Sequence, residues 1–225
     1  MATNPMHQFN VYRIGPEIKI ADIDLSFTNA SLFMVISALF ICVLLFFGTK
    51  EKKLVPGKFQ LIGEMFYNFI AKMISDTADS KAKPYFPFIF SLFMFVLFCN
   101  MIGMLPYSFT VTSHIIVTLI LAIFIFIAVT VIGFLKHGFG YLKLFVPSGV
   151  PVVLLPLITV IEVISYLSRP VSLSVRLFAN MMAGHTMLKV FGGFVISLGL
   201  LGGWLPLSFS VALTGLEILV AFLQA

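Results

Sequence analysis

The stretch that decides the fold is Glu162-Val-Ile-Ser165-Tyr-Leu-Ser-Arg169-Pro-Val-Ser172-Leu-Ser-Val-Arg176-Leu-Phe-Ala-Asn180-Met-Met-Ala-Gly-His185. On an α-helix with about 100° per residue, most of its polar residues lie within about 40° of Arg176. These residues are Glu162, Ser165, Arg169, Ser172 and Asn180. A charge at bilayer depth costs roughly 2.5–3.5 kcal/mol, so it usually faces a partner or a water-filled cavity. The stretch therefore predicts a membrane helix with one polar face.

Two interpretations of the arginines stay open on spacing alone. In the first, the helix lies at the membrane interface and its arginines extend to the lipid headgroups. In the second, the polar face lines a functional path through the membrane. Headgroup contact suits Arg169 better than Arg176, because Arg176 has long apolar runs on both sides and Asn180 one turn away. Arg176 is therefore the candidate functional cation.

The composition is that of an integral membrane protein. Hydrophobic residues make up 60% of the chain and charged residues 10%, whereas ordinary soluble domains are about a quarter charged. The net charge of +5 is better explained by orientation in the bilayer than by nucleic-acid binding. Cys42 and Cys99 lie in apolar runs without metal-type spacing, so we expect no disulfide, metal or cofactor.

The hydropathy pattern predicts an all-α membrane protein with a single membrane domain over residues 1–225. Its parts are an extramembrane arm (1–29), a first span (30–48), a cytoplasmic or matrix-side loop with an amphipathic surface helix (49–84), a transmembrane hairpin (85–135) and two long helices (152–225) that form the ion path. The last two are too long for perpendicular spans, so we expect them to be strongly tilted or near-horizontal.

The distribution of charge predicts the orientation of these parts. Lysines exceed acidic residues in the 49–84 loop, which places it on the inner side, whereas residues 106–113 carry no charge and suit the outer side. The N-terminus is then outside. The amphipathic helix fits either a position on the membrane surface or the docking of a partner subunit. Because the last span stops at Leu223-Gln-Ala225 without a polar flank, we also expect the chain to be cut short.

The intramembrane charges divide into two kinds. Glu162, His185 and Glu217 can take up and release protons, whereas Arg176 remains charged. His185 lies about 180° from Arg176 on a regular helix, so it belongs to a separate path, and Glu217 is one candidate partner. A backbone carbonyl partner for His185 and an ion pair between Glu217 and Lys189 are the alternatives.

Chemistry on an organic substrate has no support in the sequence. GxSxG, HExxH and nucleotide-binding motifs are missing, so we expect transport rather than enzyme activity. A secondary transporter and a structural membrane subunit of another respiratory complex are the alternative functions. A transporter predicts internal repeats, and none is evident.

Four segments carry a family resemblance: Ser172-Leu-Ser-Val-Arg176-Leu-Phe-Ala-Asn180-Met-Met-Ala-Gly-His185, Gly215-Leu-Glu217, Leu223-Gln224-Ala225 and Phe98-Cys-Asn100-Met-Ile-Gly-Met-Leu-Pro106-Tyr-Ser-Phe-Thr-Val-Thr-Ser-His114. They resemble subunit a of the F-type rotary ATP synthase, in particular its alphaproteobacterial and mitochondrial members. The resemblance implies a stator subunit beside a rotating c-ring, with Arg176 between two aqueous half-channels.

The same resemblance implies the site residues and the partners. The proton path comprises Glu162, Ser172, Asn180, His185, Glu217 and Gln224, with His185 and Glu217 as a spatial pair. The expected partners are the c-ring, b-type subunits of the peripheral stalk, membrane lipid and H⁺ as the transported ion. A bacterial inner membrane is favoured over a mitochondrial one.

Overall fold

The computed structural model describes residues 8–17, 19–20, 23–24, 26–50, 56–78, 80–105, 108–146 and 154–225. Long α-helices dominate this part of the chain: α1 (Asn29–Lys50), α2 (Lys58–Ala78), α3 (Phe86–Gly103), α4 (Ile115–His137), α5 (Leu155–Gly202) and α6 (Trp204–Leu223). Shorter 3₁₀ segments span Ser80–Tyr85, Val111–Ser113 and Gly138–Phe145. A minimal antiparallel pairing joins β1 (Lys19–Ile20) to β2 (Ile23–Asp24).

Within the described residues, five helices are long and apolar enough to cross a membrane: Asn29–Lys50, Ala82–Gly103, Ile115–Leu142, Leu155–Gly199 and Trp204–Leu223. Spanning the hydrocarbon core of about 30 Å takes about 20 apolar residues at the helical rise of about 1.5 Å per residue. The segment is helical because every backbone polar group must be satisfied within it. The predicted all-α membrane fold is therefore confirmed. Parts of the predicted arm and of the loop after α1 (residues 1–7, 18, 21–22, 25, 51–55 and 79) lie outside the described residues. So do residues 106–107 of the uncharged segment and residues 152–153 at the start of the predicted long helices.

The described chain packs as two compact units. The first unit comprises residues 1–111 and 184–225, and the second comprises residues 112–183. The predicted single domain over residues 1–225 stays a prediction.

The first unit is built around an apolar core between α2 and α3. Its fully buried members are Ile70, Ile74, Phe93, Met94 and Leu97. α2 is the helix expected in the loop after the first span. Its residues Ile70 and Ile74 are buried, whereas Phe59, Met65 and Phe69 are exposed. Exposed aromatic and aliphatic side chains of this kind suit contact with lipid or with a partner helix.

The second unit contains α4, the 3₁₀ segment Gly138–Phe145 and the first part of α5. Tyr166 of α5 is buried at its centre, where its ring packs on Phe126 and Phe145 at centroid distances of 4.8 and 5.4 Å. The hydroxyl of Tyr166 lies 2.7 Å from Oγ1 of Thr130 and 2.8 Å from the hydroxyl of Tyr141. The aromatic ring and these hydrogen bonds fix α5 against α4 and the 3₁₀ segment.

α5 runs on through Pro170, although proline provides no backbone N–H. Its helical geometry is interrupted at Gly199, which has φ 60° and ψ −156°. Residues with a Cβ rarely adopt this conformation. The break therefore lies at Gly199, shortly before Gly202-Gly203-Trp204-Leu205-Pro206.

Candidate functional site

The last part of α5 and α6 approach each other closely within the first unit. The rings of Phe191 and Phe209 stack at a centroid distance of 6.0 Å. Nearer the start of this contact, Gly184 faces Glu217, and a Cβ atom at residue 184 would lie only 2.6 Å from Oε1 of Glu217. The glycine thus makes room for a carboxyl group between two membrane helices.

His185 and Glu217 are brought together at this contact. Nε2 of His185 lies 3.5 Å from Oε1 of Glu217, and the two side chains are 13% and 5% exposed. Both oxygens of Glu217 are buried and accept no hydrogen bond from the part of the chain that the structure describes. A buried carboxyl group in this state is energetically costly in a membrane interior, so the pair is a candidate functional site.

Thr110 is the third member of the site. Its Oγ1 lies 3.0 Å from Nε2 of His185, and its hydroxyl donates a hydrogen bond to the carbonyl of Gly103 at 3.0 Å. Thr110 is 5% exposed. Sequence reasoning missed this residue, because a hydroxyl in an uncharged loop gives no signal of the kind that a membrane charge gives.

Asn100 is the fourth member. It is fully buried on α3, and its Nδ2 donates to the backbone carbonyl of Ala221 at 3.3 Å. Ala221 is one turn beyond Glu217 on α6, so the amide lies close to the carboxyl group along the helix. We call Asn100, Thr110, His185 and Glu217 the polar cluster.

The structure decides between the partners proposed for the titratable pair. Within the described residues, the ionisable group within 4.0 Å of Glu217 is that of His185 and not that of Lys189. The polar group that contacts the ring of His185 is the hydroxyl of Thr110 rather than a backbone carbonyl. The spatial pairing of His185 with Glu217 thus holds in the structure, while its role in transport stays a prediction.

The remaining predicted site residues lie elsewhere. Glu162, Ser172, Arg176 and Asn180 belong to the helical stretch of the second unit, where Ser172 and Arg176 are exposed and the other two are half-buried. This stretch is continuous helix, so these four residues share one face. Gln224 caps α6, and its N–H donates to the carbonyl of Val220 at 2.9 Å, about 10 Å along the axis from Glu217.

The polar cluster has the chemistry of a proton relay. It combines a carboxyl group, an imidazole, a hydroxyl and an amide, which can each donate or accept a hydrogen bond in at least one protonation state. In the described ranges, no group of three or more His, Cys, Asp or Glu residues could hold a metal ion.

Long apolar helices around a buried His–Glu pair define a multi-pass membrane protein with titratable groups in its interior. Residues 31–225 match the family model described as ATP synthase A chain. The chain is 79% identical to ATP synthase subunit a of Pelagibacter ubique strain HTCC1062, over 100% of this chain and 92% of that protein. It is 58% identical to the ATP synthase subunits a of Rhizobium rhizogenes strain K84 and Chelativorans sp. strain BNC1, with the same coverage.

The chain therefore belongs to the ATP synthase subunit a family. The resemblance found from the motifs around Arg176 and Asn100 is confirmed, and with it the assignment to the membrane sector of an F-type ATP synthase.

Proposed function

We propose that the chain is the proton-conducting stator subunit of its ATP synthase, and that nucleotide chemistry takes place on other subunits. The observation that carries this proposal is the buried contact between His185 and Glu217, 3.5 Å apart. Titratable side chains are rare within membrane helices because they are costly there, and they commonly serve in ion and proton paths. Membership in the ATP synthase subunit a family supports the same function.

The polar cluster belongs to the outer half-channel in this proposal. Thr110 follows α3 in the chain, in the segment that the distribution of lysines predicts on the outer side. Asn100, near the end of α3, and Thr110 both contact the α5–α6 pair there. Protons from the outer side reach Glu217 through this cluster.

Arg176 separates the outer half-channel from an inner one. Glu162, Ser172 and Asn180 line the path on the face of α5 that carries Arg176, and Gln224 extends the lining of α6. A carboxylate of the c-ring about 4 Å from Arg176 would gain roughly 4 kcal/mol at an effective dielectric constant of 20. That is enough to keep the carboxylate ionised while it passes, so that its proton is released into one half-channel.

The energies involved allow rotation in both directions. A proton that crosses about 100 mV supplies about 2.3 kcal/mol, which is on the same scale as the attraction to Arg176. Neither contribution makes the step irreversible. The permanent positive charge of Arg176 also opposes direct passage of protons between the half-channels.

The length of α5 fits a helix that lies along the c-ring. Its regular part, from Leu155 to the break at Gly199, extends roughly 65 Å at 1.5 Å per residue, against a hydrocarbon core of about 30 Å. We therefore propose strongly tilted or near-horizontal α5 and α6 helices.

The proposed partners are the c-ring, b-type stalk subunits and membrane lipid. The proposed ion is H⁺, and the proposed membrane is a bacterial inner membrane.

ATP-driven proton pumping tests the proposal, in vesicles that carry the assembled complex. We expect Glu217→Gln to abolish pumping, since the amide cannot take up a proton, while the complex still assembles. The matched control is Glu64→Gln on α2, an exposed residue whose carboxylate accepts a hydrogen bond from Gln60. Pumping at the wild-type rate in an assembled Glu217→Gln complex would contradict the proposal and favour a structural role.

A further inference from the structure

We propose that Thr110 is a positioning residue that fixes the tautomer of His185. In the neutral imidazole, Nε2 then carries the hydrogen and Nδ1 is left as the proton acceptor. The consequence for transport rests on the proposed function above. The assignment of the tautomer rests on the contacts of the ring and not on transport.

The hydroxyl group of Thr110 has a single hydrogen to donate. Oγ1 of Thr110 lies 3.0 Å from the carbonyl oxygen of Gly103 and 3.0 Å from Nε2 of His185. A carbonyl oxygen accepts and never donates, so this contact is a hydrogen bond only when the hydroxyl hydrogen points at Gly103. If the hydrogen pointed at His185 instead, two oxygens with unshared lone pairs would face each other at 3.0 Å. Thr110 must therefore accept from His185, and the donor is Nε2–H.

The carbonyl of Gly103 needs a hydrogen-bond donor from outside its helix. Gly103 is the last residue of α3, and the final carbonyls of a helix have no partner within it. Oγ of Ser108 also lies 3.0 Å from this carbonyl, but it is closer to the carbonyls of Ile102 and Leu105, at 2.6 and 2.7 Å. Because Ser108 has only one hydroxyl hydrogen to share among three carbonyls, Thr110 is the better donor to Gly103.

Glu217 supports the same assignment from the other helix. Its Oε1 lies 3.5 Å from the same nitrogen, Nε2. When Glu217 is ionised, an unprotonated Nε2 would present a lone pair to a carboxylate oxygen at this distance, which is unfavourable. A hydrogen on Nε2 is attracted to Thr110 and Glu217 together. Both contacts are shielded from water, since the side chain of His185 is only 13% exposed.

This arrangement gives the two nitrogens of His185 different tasks. Nδ1 is the nitrogen that receives a further proton, while Nε2–H faces the carboxylate that is next in the path. The hydrogen bond that one ring nitrogen makes determines which form of a histidine is present. A neutral hydrogen bond of ordinary strength changes such a ratio by roughly three- to tenfold.

The test compares histidine tautomers by ¹⁵N solid-state NMR of the full chain in lipid vesicles. The chain has four histidines, and the resonances of His185 are assigned by their loss in His185→Gln. In the wild type we expect the one-bond N–H coupling at Nε2. Thr110→Val, which keeps the shape and removes the hydroxyl, is expected to shift neutral His185 toward the Nδ1–H form by roughly three- to tenfold.

Two further variants make the result specific. Thr110→Ser keeps the hydroxyl and should keep the Nε2–H form. Thr214→Val removes an exposed threonine hydroxyl that donates to the carbonyl of Ser210 and should leave the His185 spectrum unchanged. An Nδ1–H form in the wild type, or an unchanged tautomer ratio in Thr110→Val, would overturn the proposal.

The proposed function is judged by a separate readout. Loss of pumping in Glu217→Gln together with an unchanged tautomer in Thr110→Val would refute only the positioning role of Thr110. Normal pumping in Glu217→Gln together with the expected tautomer shift would refute only the transport function. Because the wild-type spectrum already decides which nitrogen is protonated, the proposal is testable even if Thr110→Val fails to fold.

Discussion

Gly184 of α5 and Glu217 of α6 are in direct contact. A Cβ atom at residue 184 would lie 2.6 Å from Oε1 of Glu217 and 2.9 Å from its carboxyl carbon. Contacts below 3.0 Å force one of the two groups to move. Because residue 184 is a glycine, the carboxyl group of Glu217 can occupy its position opposite His185.

Gly184→Ala is expected to displace the carboxyl group of Glu217 from His185. A displacement of about 1 Å at a site that depends on alignment can cost about a hundredfold in rate, so ATP-driven proton pumping should fall by about ten- to a hundredfold. The control is Gly192→Ala on the same helix, where an added Cβ has nothing within 4 Å among the described residues. If both variants pump alike, the close approach of α5 and α6 has no part in transport.

Asn100→Leu is expected to lower the thermal stability of the assembled complex. The substitution leaves the carbonyl of Ala221, near the end of α6, without the hydrogen bond from Nδ2. The loss should be about 1 kcal/mol, at the low end for a buried polar group, because hydrogen bonds between membrane helices are modest. Ser91→Ala on α3 removes only an exposed hydroxyl bonded to the carbonyl of Phe88 and should be neutral. A melting temperature equal to that of the wild type would show that the Asn100 contact contributes nothing.

Tyr166→Phe is expected to weaken the second unit. It keeps the ring beneath Arg169, whose guanidinium carbon lies 5.5 Å from the centroid, but removes the hydroxyl that contacts Thr130 and Tyr141. We expect a loss of about 1 kcal/mol in the free energy of unfolding, measured by thermal denaturation in detergent.

Tyr67→Phe is the matched control for this prediction. Tyr67 is exposed, and its ring packs on Phe86 at a centroid distance of 4.7 Å. Within the described residues its hydroxyl makes no hydrogen bond, so we expect no change in stability. Equal stability of the Tyr166 and Tyr67 variants would remove the hydroxyl of Tyr166 as a stabilising group.

The helices were predictable because their signals are local and strong. Long uncharged apolar runs predicted the first span and the hairpin segments, and the helical spacing of apolar residues such as Phe59, Ile62 and Phe66 predicted α2. Helix ends were less predictable: α1 extends from Asn29 to Lys50, slightly beyond the predicted 30–48. The break in α5 at Gly199 is a single backbone conformation, which several nearby glycines could have adopted equally well.

The polar cluster was predictable only in part. His185 and Glu217 attract notice because they are ionisable residues in apolar runs, but their distance depends on how α5 packs against α6 at Gly184. Thr110 and Asn100 are ordinary polar residues in the sequence. Their importance comes from contacts across long stretches of chain, to His185 and to Ala221, and no local pattern encodes such contacts.

The measurement that tests the central claim most directly is proton transport in vesicles that carry the assembled complex with Arg176→Ala. ATP-driven pumping and passive proton permeability, after removal of the catalytic sector, are both recorded. Arg169→Ala is the matched control, since Arg169 lies on the same helix and contacts the ring of Tyr166. We predict that Arg176→Ala abolishes pumping and raises the passive leak while the complex stays assembled, and that Arg169→Ala retains pumping. Normal pumping with an unchanged leak in Arg176→Ala would contradict the account.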